Sequence, residues 1–483
     1  MQIKSLISAS GIIAIGMVAG RLLGLLREIA IAAYFGISGQ ADIAILLLML
    51  PDFVAGVFIG SAGSAALIPA FSTRTKPQAL ALLRQMLWLS AVSFSVIATV
   101  LLLYSQFGNW LPVSDYSILF FTFFSIPLMG VTAIFSAWLQ YIGRFTVPAF
   151  ATVIFNITIL CSLWLATGDI KLLAVGIFTA SLFRLLAHII AFFCCDESFG
   201  NIEKSNWEID RKLLYTYTQA AITGVIGMLP LYAPYLILTA TTGGLALFNY
   251  AFKLVLLPTI FLQTIIQMVL LPLLVKQLPE LRTKTHNLGL HIGYVCGVSV
   301  ACAVMLVSKP IIAFCFGHGK ISPQNIADIV TLLQIGIWAT PFAVSSCLWQ
   351  QMLYAENQAK SAMFASVVGA VLLLPLYYFG QNIYGEIGLM IGFVVINIIQ
   401  LLLVVVFGKR HIPLASFLPS KDYIFSTLAM LGIFAISALL YVEFLAITTV
   451  SDIIKLIIGI SVGGLMLGGV LFVFIVIQWF KRL

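Results

Sequence analysis

Apolar runs of about 20 residues or more, separated by short polar stretches, recur along the whole chain. At 1.5 Å per helical residue, a run of that length crosses a hydrocarbon layer about 30 Å thick. The pattern predicts fourteen membrane-spanning helices: 6–34, 44–71, 86–104, 116–141, 148–166, 172–195, 215–239, 245–274, 288–307, 326–354, 361–379, 387–407, 423–442 and 453–480. The expected fold is therefore all-α and polytopic. The longest polar stretch, 196–214, divides the chain near its middle.

Two weak echoes link the halves. A segment from Pro127 to Tyr141, containing Trp138 and Gln140, resembles one from Pro341 to Tyr354, containing Trp349 and Gln351. Leu50-Pro51 through Ile68-Pro69 likewise matches Leu257-Pro258 through Leu271-Pro272. A parallel repeat of two six-helix lobes, 1–200 and 201–410, followed by two further transmembrane helices in 411–483, accounts for both. Chance similarity between leucine-rich helices is the competing explanation.

Composition sharpens the class. Apolar residues make up 61% of the 483 and charged residues 9%, against about 25% charged in an ordinary soluble domain. The net charge of +8 comes from basic residues spread over short loops rather than gathered in a patch, so topology explains it better than nucleic acid does. With the N-terminus in the cytoplasm, loops on the inner side hold seventeen Lys and Arg and those on the outer side four, Lys171, Lys309, Lys320 and Lys455. Four more, Arg21, Arg27, Arg184 and Lys253, fall within spans. This bias predicts cytoplasmic N- and C-termini and an even number of spans. The N-terminal apolar run is too long for a signal-peptide core and reads as a spanning helix. The seven cysteines show no metal spacing and read as buried free thiols.

The charges inside the spans carry the chemistry. A charged side chain at the bilayer centre costs about 2.5–3.5 kcal/mol on insertion scales, so each must face protein or water. The first span holds Arg21, Arg27 and Glu28 in the stretch Gly20-Arg21-Leu22-Leu23-Gly24-Leu25-Leu26-Arg27-Glu28. On an ideal helix Arg21 and Glu28 share a face and Arg27 lies about 120° away. A distortion at Gly24 would turn both arginines toward one cavity. Two guanidiniums against one carboxylate suit an anionic ligand, and their planar fork matches phosphate. The alternative is an internal ion pair that only locks helix packing.

Lys253, at the start of the eighth span, is either a further cation for the ligand or a residue reaching to an interface. Arg184 and His188, near the cytoplasmic end of the sixth span, read as residues reaching to lipid phosphates. The second span is punctuated by Pro51, Gly56, Gly60, Gly63 and Pro69, with Asp52, Ser61 and Ser64 among them. It reads either as a flexing gate or as a small-residue packing interface. Apart from Glu28 and Asp52, no acid lies well within a span, no P-loop is present, and no nucleophile–base constellation supports an enzyme. No cofactor or metal is expected.

The chain resembles the MurJ/MviN family of the multidrug/oligosaccharidyl-lipid/polysaccharide exporter superfamily. The resemblance rests on residues 20–28, Tyr34-Phe35-Gly36, Ala41-Asp42, Leu50-Pro51-Asp52, Ala66–Phe71, Tyr141–Phe150 and Gly317–Lys320, in order. It implies a monomeric flippase of the bacterial inner membrane, with two lobes around a central cavity and two extra helices forming a lipid-tail groove. Its cargo would be lipid II, the undecaprenyl-diphosphate-linked peptidoglycan precursor, needed for the cell wall and cell shape. Transport would run from the cytoplasmic to the outer leaflet by alternating access. By position, the resemblance assigns Arg21, Arg27 and Lys253 to the diphosphate clamp. Glu28, Asp42, Gly24, Pro51, Asp52, Ser61, Ser64 and Pro258 fall to the cavity or its gates. The chain departs from the family pattern at Ala55 and Gly56, where an arginine is usual, and at Gly60, where an acid is. A flippase for another polyprenyl-linked oligosaccharide (capsule, exopolysaccharide or O-antigen) is the alternative reading, and a cation-coupled drug exporter a more distant one.

Overall fold

A computed structural model of the chain describes residues 3–107, 113, 115–195, 207–238, 241–408 and 432. The spans predicted at 423–442 (residue 432 apart) and 453–480, with the proposed tail groove, lie outside the described residues, as does most of the central polar stretch. Within the described residues, ten helical stretches are long and apolar enough to cross a membrane.

By its internal packing the chain divides into two units, residues 1–246 and 247–483. Unit 1 begins with α1 (Ile3–Phe35), which runs as one helix through Gly24. Then come α2 (Gly39–Val54), a π-helical segment (Ala55–Leu67) and the short α3 (Ile68–Ser72), which together form the predicted second span. The unit continues with α4 (Lys76–Phe107), α5 (Tyr116–Tyr141), α6 (Thr146–Ala166), α7 (Ile170–Phe193) and α8 (Arg211–Leu238). Helix α8 packs on the π segment, so the first unit extends beyond the sequence midpoint. α1 packs on α6, and α5 lies between α4 and α7. Phe71, Trp138 and Phe192 knit α3, α5 and α7 into a buried aromatic core, with Phe71 and Trp138 meeting edge to face at 5.2 Å.

One face of α4 presents Trp88, Val92, Val96, Val100 and Leu103 outward, all highly exposed and three or four residues apart. Such a continuous apolar stripe on a long helix suits lipid rather than water.

Unit 2 holds α9 (Gly244–Lys276, whose first three residues fall in unit 1), α10 (Pro279–Phe316), α11 (Pro323–Gly336), α12 (Ala339–Ala355) and α13 (Ala359–Gly408). The predicted span 326–354 is broken at Ile337 and Trp338, where α11 ends and α12 begins. Pro341 lacks the N–H that would bond back to Ile337, so the α ladder stops there. The spans predicted at 361–379 and 387–407 join with almost no loop, because Gly385 at φ +59° and ψ −139° reverses the chain in a conformation closed to other residues.

The cysteines are free thiols, as expected, yet only Cys302 and Cys347 are buried, whereas Cys161 and Cys194 are exposed. In a membrane helix the outer face is itself apolar, so a thiol needs no core to leave water.

Candidate functional site

Helix α1 meets α6 along a seam of glycines at every fourth position. An ideal Cβ on Gly16 would come within 2.5 Å of the Ala149 carbonyl oxygen, and one on Gly20 within 3.1 Å of Thr152 Cβ. At Gly24 it would lie 3.6 Å from Asn156 Nδ2, an ordinary contact. Small residues let two membrane helices approach this closely. The approach brings Asn156 against the α1 backbone, where its Nδ2 donates to the Gly20 carbonyl at 2.9 Å.

That contact fixes the Asn156 oxygen to receive Arg27. The Arg27 guanidinium donates through Nη1 to Asn156 Oδ1 at 3.2 Å, and through Nη2 to Glu28 Oε1 at 3.0 Å and Asp52 Oδ2 at 3.1 Å. Arg27 is only 4% exposed and Glu28 2%. The sequence placed Arg27 and Glu28 on different faces of an ideal helix, but adjacent long side chains can converge. The addition from the structure is Asp52, brought by α2 from 25 residues away. Arg27 thus ties α1, α2 and α6 together, and its charge is matched by two carboxylates.

Beside this hub, and inside unit 1, opens a cavity of about 510 Å³. Its lining includes Arg21, Asp52, Gly56, Gln140, Arg184 and Tyr232, from α1, α2, the π segment, α5, α7 and α8. Tyr232 is held edge to face against Phe53 at 5.4 Å. Gly56 leaves room here, since a Cβ would press to 3.1 Å from the Met228 side chain. The second span lines this cavity with the small residues Ala55 and Gly56 between Asp52 and Ile59.

Arg184 corrects the sequence reading. Far from reaching to the membrane surface, it is 5% exposed and lines this cavity, and His188 one turn on is fully buried. Among the described residues, the cavity and its hub carry three guanidiniums, Arg21, Arg27 and Arg184, against two carboxylates, Glu28 and Asp52, which leaves one positive charge in surplus.

The other expected residues are placed as follows. Asp42 lies in the first turn of α2, where its carboxylate accepts the backbone N–H of Gly243 at 2.5 Å and of Ala246 at 2.8 Å, capping the start of α9. It borders a second cavity of about 450 Å³ with Ser38, Gln40 and Thr242. Pro51 is buried inside α2. Ser61 and Ser64 lie on the π segment, but their side chains are outside the described residues. Lys253, half-buried, and Pro258 lie on α9 within unit 2. Asn156 went unremarked in the sequence, although an amide in the middle of an apolar span signals an interhelical bond.

Comparison with known proteins supplies a context for this geometry. A family model described as "Lipid II flippase MurJ" matches residues 31–459. The "Lipid II flippase MurJ" of Thermosipho africanus is 28% identical over 204 residues, covering 39% of this chain and 40% of its own. The "Probable lipid II flippase MurJ" of Rickettsia prowazekii is 20% identical over 397 residues, covering 77% of this chain and 78% of its own. Among solved structures, "Lipid II flippase MurJ, inward closed conformation" superposes with a TM-score of 0.77 at 22% identity, covering 96% of this chain and 98% of that one. An inward-facing multidrug resistance MATE family transporter of the MOP superfamily follows the same fold, with a TM-score of 0.67 at 14% identity over 81% of this chain and 94% of its own.

Proposed function

The chain belongs to the lipid II flippase MurJ family, and from that premise we propose that the unit 1 cavity receives the diphosphate of its lipid-linked cargo. The protein is a multi-pass membrane transporter that moves lipid II from the cytoplasmic to the outer leaflet. The observation that carries the reading is the surplus positive charge, among the described residues, around a cavity walled by membrane-spanning helices. A guanidinium is costly there unless a partner or ligand compensates it, and a diphosphate is such a ligand.

In this proposal Arg21 meets the diphosphate directly. Arg27 organises the wall by holding Glu28, Asp52 and Asn156. Lys253 of unit 2 is retained as a further cation for the head group, on its charge and its place in a spanning helix. Gly24, Pro51 and Pro258 are the proposed bending points, and Asp42, Ser61 and Ser64 the proposed polar gate residues. The protein works as a monomer with both termini in the cytoplasm. The repeat halves are 1–200 and 201–410, and 411–483 supplies the tail groove. An inside-negative potential favours outward movement of an anion by about 2.3 kcal/mol per charge per 100 mV, which can drive the cycle without a cofactor.

The test is complementation. The wild-type chain should restore growth to a bacterium depleted of its lipid II flippase, and Arg21→Ala should abolish that rescue at unchanged protein level. Full growth of the Arg21→Ala, Arg27→Ala double variant would sink the proposal.

A further inference from the structure

We infer that Arg184 is a direct phosphate-binding residue of the unit 1 cavity, the second arm of a pincer whose first arm is Arg21. This deepens the proposed function and rests on it, since it assigns a residue to the diphosphate of the same cargo.

The two buried arginines are partnered very differently. Arg27 is matched by two carboxylates and an amide. Arg184 is equally buried, yet among the described residues it forms no ion pair. Among the described residues its side chain makes one hydrogen bond, a weak one from Nη1 to Met129 Sδ at 3.8 Å, and its Nε has no partner. A guanidinium presents five donors and cannot shed its charge, so most of its bonding capacity is unspent. Removing such a group from water costs several kcal/mol, and the Asp52 carboxylate in the same cavity, which attracts Arg184 through space, is hydrogen-bonded to Arg27 at 3.1 Å instead.

The helix fixes the position of the residue. It stands on α7 in a stripe of buried positions that includes Ile177, Ser181 and His188. The His188 ring bonds the Arg184 carbonyl through Nδ1 at 2.8 Å, within the helix turn. Arg184 lines the same cavity as Arg21, and α1 and α7 both pack on α6. The cavity of about 510 Å³ has room for two phosphoryl groups. A diphosphate has two phosphoryl groups and can engage both arginines, whereas a monophosphate can satisfy one fully. Arg184 should therefore set the preference for diphosphate over monophosphate carriers.

The experiment uses the purified full-length protein in lipid nanodiscs. Binding of lipid II, undecaprenyl diphosphate and undecaprenyl monophosphate is measured for wild type, Arg184→Gln and Arg184→Lys. Arg184→Gln should weaken both diphosphate lipids by about tenfold to a hundredfold, the range carried by a hydrogen bond to a charged group, and change the monophosphate little. Arg184→Lys should recover part of the loss. Inorganic pyrophosphate should raise the melting temperature of wild type and, less, of Arg184→Lys, but not of Arg184→Gln. A structural role would lower all three lipids together and would overturn the inference, as would unchanged binding by Arg184→Gln. If wild type binds the diphosphate lipids and Arg184→Gln binds them as tightly, Arg184 alone is refuted. If wild type binds neither diphosphate lipid, the function proposal falls and takes this inference with it.

Discussion

Replacing Arg27 by Met separates an organising residue from a simple ligand clamp. Methionine keeps much of the side-chain length but removes the hydrogen bonds to Glu28, Asp52 and Asn156. Each such bond to a charged group is worth about 1.5–3 kcal/mol, although bonds that share one guanidinium do not add. The Asp52 side chain is 31% exposed, so water screens its share and that bond should be discounted. The Glu28 side chain is 3% exposed, and breaking its buried pair with Arg27 is the dominant cost, about 3–5 kcal/mol. The double variant Arg27→Met, Glu28→Gln removes the buried carboxylate charge as well and should regain at least half of the loss. The assay is the thermal melt of purified protein in one detergent for wild type, both single variants and the double variant. An Arg27→Met protein that melts with wild type would refute the hub, and so would a double variant no more stable than Arg27→Met.

Two further outcomes follow from contacts elsewhere in unit 1. Gly16→Ala should destabilise by about 1–3 kcal/mol, the usual cost of overpacking, because its new methyl meets the Ala149 backbone; Gly24→Ala, with 3.6 Å of clearance, should be near neutral in the same melts. Asp115, in the loop before α5, accepts the Ser117 N–H and hydroxyl, and these bonds hold its carboxyl below the usual range. A lowered folded pKa means its contribution is present above the ordinary carboxylate range and is lost as pH falls through the lowered value. The stability lead of wild type over Asp115→Asn, read from melts across pH, should therefore shrink on acidification.

The helical architecture was legible because a membrane span must be long, apolar and internally hydrogen-bonded, and that constraint writes itself into twenty consecutive residues. Where helices touch without a polar loop between them, the reading was coarser. The break before α12 leaves apolar sequence on both sides, so only Pro341 marks it, whereas the polar stretch from Gln381 to Glu386 separates the two spans that meet at Gly385. Arg21, Arg27 and Glu28 announced themselves as charges in an apolar run. Their partners did not, because Asp52 and Asn156 reach Arg27 across 25 and 129 residues of chain. Arg184 is visible as a charge in a span, and its position near a span end points to the membrane surface, whereas its register with Leu173, Ile177, Ala180 and Ser181 places it on the buried stripe of α7. Helical phase was the better guide than depth.

The π segment between Ala55 and Leu67 has a mechanical consequence. Each of its backbone bonds is a single acceptor away from the α register, so the segment can exchange one pattern for the other without leaving amides exposed to hydrocarbon. Such an exchange turns everything downstream about the helix axis. Upstream, Asp52 is gripped by Arg27; downstream, Phe71 is wedged against Trp138. A rod clamped at both ends and free to change pitch in between stores torsion. Any twist imposed at one clamp arrives at the other as rotation, passing along the floor of the cavity at Ala55 and Gly56.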